Sequence, residues 1–169
     1  MITLVLGGAR SGKSALAERL AQRVTDDGVV YLATGAATDA DMQARIERHR
    51  QRRGPRFHTV EVGSDLAVAL ATHADRVVLV DSLGTWVAAH PRLEVDVDAL
   101  LAALGERPLP TVLVSDEVGM GVHPTSDAGR RFRDVLGGVN EAVATIADRA
   151  LLVVAGRAIS LEAFDESAR

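Results

Sequence analysis

The stretch LGGARSGKSALAERL, residues 6–20, decides how the rest of this chain is read. Gly7, Gly12, Lys13 and Ser14 satisfy the spacing G-x-x-x-x-G-K-[ST]. The apolar run ITLVL (2–6) precedes them and a helical stripe at Leu16, Leu20 and Val24 follows. Strand, glycine turn and amphipathic helix in that order are the context in which this spacing binds phosphate. Backbone amides along Gly7, Gly8, Ala9, Arg10, Ser11 and Gly12 can curl around an anion, and the helix start adds partial positive charge. The Ser14 hydroxyl is then placed to ligate a Mg²⁺ ion held by phosphate oxygens. Of the 19 lysine and arginine side chains only Lys13 is lysine. Its compact ammonium on a thin stem can thread beside the β- and γ-phosphates of a nucleotide, where a planar guanidinium is bulkier and prefers in-plane partners.

Outward from this loop, short β-branched runs recur at 29–34 (VVYLAT), 76–81 (RVVLVD), 111–116 (TVLVSD) and 150–156 (ALLVVAG). Segments of helical period separate them, among them Leu66, Val68 and Leu70, and Phe132, Val135, Leu136, Val139, Val143 and Ile146. Runs apolar almost throughout suit strands buried on both faces, as in a parallel sheet covered by helices on each side. The expectation is a three-layer α/β P-loop NTPase fold with a mostly parallel central sheet, a single domain over 1–169, and a frayed end in SLEAFDESAR. With 47% hydrophobic residues the chain can bury one real core. A net charge of -4 argues against a general polyanion binder, so any basic site must be local. Zero cysteines exclude disulfides, thiolate chemistry and Cys-based zinc sites. The short apolar runs and immediate strand predict a cytoplasmic protein with no membrane insertion.

Two strands end in acids: Asp81 closes VVLVD, and Asp116 with Glu117 closes VLVSDE. Ligands of open α/β sheets gather at those carboxyl ends, so either can face the loop, while capping the helices that follow is the competing role. Asp81 is the first choice for the nucleotide and its Mg²⁺, Glu117 the second, for metal or as a general base. The segment DADMQARIERHRQRRGPRF carries Arg45, Arg48, Arg50, Arg52, Arg53 and Arg56 around His49. On a helix Met42, Ile46 and His49 share one stripe, so an imidazole flanked by guanidiniums would be kept neutral and able to attack phosphorus. The ordinary alternative is a solvated basic helix paired with Asp39, Asp41 and Glu47.

Taken together, GGARSGKS (7–14), YLATG (31–35), DMQARIERHR (41–50), HTVE (58–61), VVLVDSLGTW (77–86), VSDEVGMGVHP (114–124) and GRRFRDVLGGVNE (129–141) resemble the adenosylcobinamide kinase / adenosylcobinamide-phosphate guanylyltransferase family of cobalamin biosynthesis. The likeness spans nearly the whole chain in order. It implies a parallel P-loop fold, usually a homotrimer, that phosphorylates the aminopropanol hydroxyl of adenosylcobinamide with ATP or GTP. The enzyme then transfers GMP from GTP to adenosylcobinamide phosphate through a guanylylated histidine, releasing pyrophosphate. The family's R-I-x-x-H pattern maps onto Arg45, Ile46 and His49, making His49 the implied nucleophile with Lys13 as the second catalytic residue. Implied nucleotide contacts are the loop Gly7 to Ser14, Leu32, Ala33 and Thr34, the run Arg50, Gln51, Arg52 and Arg53, Glu61, and Asp81. Some positions depart from the family pattern. LGTWVAAH follows Asp81 where LTLWLTN is common, Asp116 replaces asparagine, Phe57 replaces tryptophan and Glu141 replaces glutamine. None of these is expected to touch the loop or His49.

A small-molecule P-loop kinase without nucleotidyl transfer is the nearest rival, separated by pyrophosphate release. A regulatory GTPase would carry N-K-x-D, which a chain whose one lysine is Lys13 cannot contain. A recombinase-type ATPase acting on nucleic acid is disfavoured by charge and by only one tryptophan, one tyrosine and three phenylalanines for stacking. His58, His73, His90 and His123 show no metal-ligand spacing and are expected to be ordinary, with a substrate contact by His123, beside the EVGMG loop, as the lesser alternative. A corrinoid exceeds ordinary small-ligand pockets and is expected on an open or intersubunit surface.

Overall fold

The structure is a computed structural model that describes residues 1–35 and 54–163. His49 and its arginine neighbours at 45, 48, 50, 52 and 53, together with Gln51, lie outside the described residues. In chain order the described elements are β1 (Ile2–Gly7), α1 (Lys13–Arg23), β2 (Val29–Ala33), β3 (Phe57–Glu61), α2 (Leu66–Thr72) and β4 (Val78–Asp81). There follow α3 (Leu83–Ala89), α4 (Val97–Gly105), β5 (Thr111–Asp116), α5 (Asp127–Ile146), β6 (Arg149–Val154) and β7 (Arg157–Leu161).

The strands form one seven-stranded sheet in the order β3-β2-β4-β5-β1-β6-β7. All neighbours are parallel except the edge pair β6 and β7. The apolar runs are thus buried on both faces, and the alternation of strand side chains divides them between two cores. On one face Leu4, Leu32, Val80 and Leu113 pack with Leu70 of α2, Trp86 of α3, Leu100 of α4 and Leu136 of α5. On the other face Val5, Tyr31, Leu79, Val114 and Val153 meet α1 through Ala17 and Ala21. The expected stripe of α1 is therefore rotated. Small alanines face the sheet and allow close approach, Leu16 and Leu20 flank them, and Val24 is exposed.

β3 and β7 were not among the expected strands. Both are short edge elements, and β7 is exposed along its whole length, so neither has a continuous apolar run. The expected frayed tail, SLEAFDESAR, opens with Ser160 and Leu161 at the end of β7, and its residues 164–169 lie outside the described residues; β7 is tied to β6 through Ala155 and Gly156, both in the left-handed region, a two-residue hairpin turn.

Candidate active site

The carboxyl ends of the parallel strands gather the site. Gly7 at the end of β1 is paired with Asp116 on β5 and with Val153 on β6. Asp81 on β4 is paired with Val114, two residues before Asp116, and with Ala33 on β2, which is paired with Glu61 on β3. Because strand side chains alternate, Glu61, Ala33, Asp81 and Asp116 share the face that α1 covers. Leu32 and Thr34 fall on the opposite side. Leu32 is fully buried in the core, and the Thr34 hydroxyl lies 2.6 Å from the Ser82 carbonyl and 2.6 Å from the Thr85 hydroxyl at the start of α3.

The loop itself is tightly determined. A Cβ on Gly7 would stand 2.6 Å from Ser11 Oγ and 2.7 Å from the Val153 carbonyl, so only glycine fits. Gly12 enters α1 at φ +96°, a left-handed conformation that side chains disfavour. The Gly156 amide at the tip of the β6–β7 hairpin donates to the Ser11 carbonyl at 2.8 Å, bracing the loop from outside. Nothing in the residue pattern announced that brace except the Ala-Gly pair that closes the run ALLVVAG.

Lys13 is only 5% exposed, and its Nζ donates to the Gly8 carbonyl at 3.1 Å. It also forms an ion pair with Asp116 Oδ1 at 2.7 Å. The acid beside the lysine is therefore Asp116, and the expectation that its departure from the family pattern leaves the loop untouched is corrected. β5 lies between β4 and β1 in the sheet, so Asp116 is the nearer acid. Which strands are neighbours is decided by topology and is invisible to a motif. A second departure is in contact with the first, since a Cβ on Gly84 would lie 2.7 Å from Asp116 Oδ2. The Asn140 amide of α5 donates to the Asp116 carbonyl at 3.0 Å and holds the strand end.

Asp81 Oδ2 accepts from the Tyr31 hydroxyl at 2.8 Å, a contact that orients this carboxylate. Glu117 turns back on its own loop, where its two oxygens accept from the amides of Gly119 and Met120 at 2.8 and 3.0 Å. Its carboxylate thus shapes the 117–120 turn. His123 Nδ1 lies 2.6 Å from an Arg133 nitrogen at the surface. Glu61 ends β3, four strands from the loop, or roughly 19 Å at ordinary strand spacing.

Among the described residues no group of three or more His, Cys, Asp or Glu side chains could hold a metal by itself. The Ser14 hydroxyl stands in the first turn of α1, and the Asp81 and Asp116 carboxylates end the neighbouring strands β4 and β5; all three are hard oxygen donors. That set suits Mg²⁺, which binds through one or two protein oxygens together with substrate phosphates. Among the described residues no helix is long and apolar enough to cross a membrane.

Fold and loop define an α/β P-loop nucleotide-binding protein, and solved structures agree on the fold. FlaH, a flagellar accessory protein of Methanocaldococcus jannaschii, superposes with a TM-score of 0.55 at 17% identity, covering 95% of this chain and 77% of its own. An ATPase of a bacterial type III secretion system superposes at 0.53 and 12% identity, covering 89% and 50%. The sequence profile of the family described as cobinamide kinase / cobinamide phosphate guanyltransferase matches residues 3–161, and the chain belongs to that family. A relative in Pseudomonas aeruginosa, the bifunctional adenosylcobalamin biosynthesis protein CobP, is 41% identical over 96% of this chain and 98% of its own length. The bifunctional adenosylcobalamin biosynthesis protein CobU of Escherichia coli is 37% identical, covering 96% and 100%.

Proposed function

We propose that this chain is a bifunctional enzyme of cobalamin biosynthesis. It phosphorylates the aminopropanol hydroxyl of adenosylcobinamide with ATP or GTP, and it transfers GMP from GTP to the resulting phosphate. The observation that carries this reading is the buried Lys13 at the mouth of a complete phosphate loop, in a chain of the cobinamide kinase family.

In the kinase half, the loop amides and Lys13 hold the β- and γ-phosphates and spread the charge that develops during transfer. Ser14 and Asp81 would hold Mg²⁺, which would supply further neutralisation of the phosphate charge. Ala33 lines the nucleotide, and Glu61, distant from the loop, serves the base or sugar end. In the guanylyl half, a His49 nitrogen attacks the α-phosphorus of GTP. The bond to the β-phosphate oxygen breaks, pyrophosphate leaves, and a phosphoramidate forms. A phosphate oxygen of adenosylcobinamide phosphate then attacks that phosphorus, the P–N bond breaks and adenosylcobinamide-GDP is released. Two such steps replace one encounter between polyanions, and the arginines at 50, 52 and 53, with Gln51, hold the triphosphate for the first of them. A homotrimer acting in the cytoplasm, on a corrinoid held at an open or intersubunit surface, belongs to the same proposal. The exposed apolar side chains Val154, Ile159 and Leu161 along the sheet edge support a covered interface there.

The test is incubation with α-labelled GTP, Mg²⁺ and adenosylcobinamide, with products identified by mass. The proposal expects pyrophosphate, adenosylcobinamide-GDP, and an acid-labile protein label that disappears in His49→Ala. A label that persists in the variant removes His49 from its role. Phosphorylation without pyrophosphate leaves a kinase only.

A further inference from the structure

We propose that the tip of the loop after β5, Met120 to His123, recognises the corrinoid acceptor: Met120 and Val122 rest against an apolar face of the macrocycle, and His123 donates a hydrogen bond to one of its peripheral amide carbonyls. This rests on the reading of the chain as a cobinamide kinase and guanylyltransferase given above.

The loop leaves β5 beside the phosphate loop. The Glu117 amide donates to the Gly7 carbonyl at 3.2 Å, and Asp116, the residue before it, pairs with Lys13 at 2.7 Å. An acceptor hydroxyl that meets the transferred phosphate near Lys13 therefore brings the rest of its molecule past this loop. Val118 packs against the core that α3 and α5 cover, whereas Met120 is 73% exposed and Val122 96%. One exposed apolar side chain is ordinary, but here two share a single turn held in a fixed frame. Upstream, the Glu117 oxygens accept from the Gly119 and Met120 amides at 2.8 and 3.0 Å. Downstream, Arg130 donates to the Pro124 and Thr125 carbonyls at 3.1 and 2.9 Å, and the bare Gly129 makes room for the Pro124 ring. The tip is thus presented in one shape, which lowers the ordering cost of binding.

His123 is prepared in the same way. Its Nδ1 lies 2.6 Å from Arg133 Nη1, and Arg133 is itself held to Asp134 Oδ1 through Nε and Nη2 at 3.0 and 2.8 Å. A guanidinium has no lone pair to offer, so Nδ1 accepts and the ring proton sits on Nε2. An exposed ring with a fixed N–H donor therefore stands next to Val122. Before phosphorylation a cobinamide has no anionic group for a guanidinium to grip. It offers a broad ring faced with methyl groups and rimmed by carboxamides, which apolar side chains and an N–H donor match. A second copy of this chain is a poorer occupant. Two side chains cover far less than the roughly 800 Å² per partner that a specific protein interface buries. The exposed neighbours Gly119, Gly121, Thr125, Ser126 and Asp127 are small or polar and add no apolar area.

The experiment uses the full chain with adenosylcobinamide and Mg·GTP. Peroxide oxidation of Met120, followed by peptide mass, should slow by about threefold or more when adenosylcobinamide is present, with the exposed Met1 unaffected as internal reference. In the double variant Met120→Ser, Val122→Ser the Kd for adenosylcobinamide, from equilibrium dialysis read by its visible absorption, should rise at least about tenfold, while the Kd for Mg·GTP changes by less than about twofold. His123→Ala should weaken corrinoid binding by about fivefold, and His123→Gln, which keeps an N–H donor, by less than about twofold. Unchanged corrinoid affinity in the double variant overturns the inference, as does unprotected Met120 in the natural protein, a measurement that needs no variant to fold. So does a double variant that weakens both ligands alike, or one whose mass in light scattering falls below that of the natural protein, which assigns the tip to a contact between subunits. A natural protein that binds Mg·GTP but neither binds nor phosphorylates adenosylcobinamide overturns the functional reading itself, and this inference with it.

Discussion

Lys13 concentrates the chemistry of the loop into one ammonium with two protein acceptors and a third donor left for a ligand. Replacing it by alanine should lower kinase kcat/KM by at least about a hundredfold, since electrostatic groups aimed at transferring phosphates are worth several kcal/mol. Lys13→Arg should not restore activity, because the wider guanidinium does not fit a site only 5% exposed; steady-state kinetics of the two variants check both points. Gly7→Ala places a methyl 2.6 Å from Ser11 Oγ and against the Val153 carbonyl. The expected result is a loss of about 1–3 kcal/mol in stability, measured by urea unfolding, together with lost nucleotide binding. At this scale the roles of Gly7 and Lys13 could be read from residue order, because the motif is contiguous. The partner of Lys13 could not, because Asp116 is 103 positions away and meets it only through strand pairing.

Among the elements, the connection from α4 to β5 is held by a buried arginine. The Arg107 guanidinium donates to the Thr111 hydroxyl at 2.7 Å and to the carbonyls of Leu70, His73 and Arg76, tying the end of α2 to the start of β5. Burial lowers its pKa below the usual arginine value, and Asp75 partly opposes this. Arg107→Met leaves three carbonyls without that donor and should cost about 2–4 kcal/mol. Arg107→Lys should recover little, since one ammonium cannot span four acceptors in a plane; thermal unfolding of both variants checks this. α3 starts with a capping box in which the Ser82 hydroxyl accepts from the Thr85 amide at 3.3 Å and the Thr85 hydroxyl accepts from the Ser82 amide at 3.1 Å. Gly84 in the first turn of that helix makes room for the Asp116 carboxylate. Gly84→Ala should displace that carboxylate and weaken its hold on Lys13, seen as a changed affinity for Mg·GTP. The long buried strands and the period of α5 were evident from apolar spacing. The alanine face of α1 was not, because periodicity scores large side chains while close helix-sheet packing selects small ones.

For the whole molecule, ligand binding and folding are linked through the loop, since β1, β5 and β6 end beside it and α1 starts from it. Mg·GTP at a hundred times its Kd should stabilise the native state by about 2.7 kcal/mol, which raises Tm by roughly 5–10 °C for a domain of this size. Differential scanning fluorimetry should show that rise in the natural protein and none in Lys13→Ala.

The sequence alone determined the phosphate loop, the alternation of strands and helices, the parallel α/β class and the family resemblance. Each depends on local order, composition or spacing along the chain. Tertiary structure decided which strands became neighbours, and with that which acid meets Lys13, which residues of Leu32, Ala33 and Thr34 face the loop, and that a distant hairpin braces it. These are consequences of strand order and register, set by packing summed over two cores, and no short window of residues encodes them.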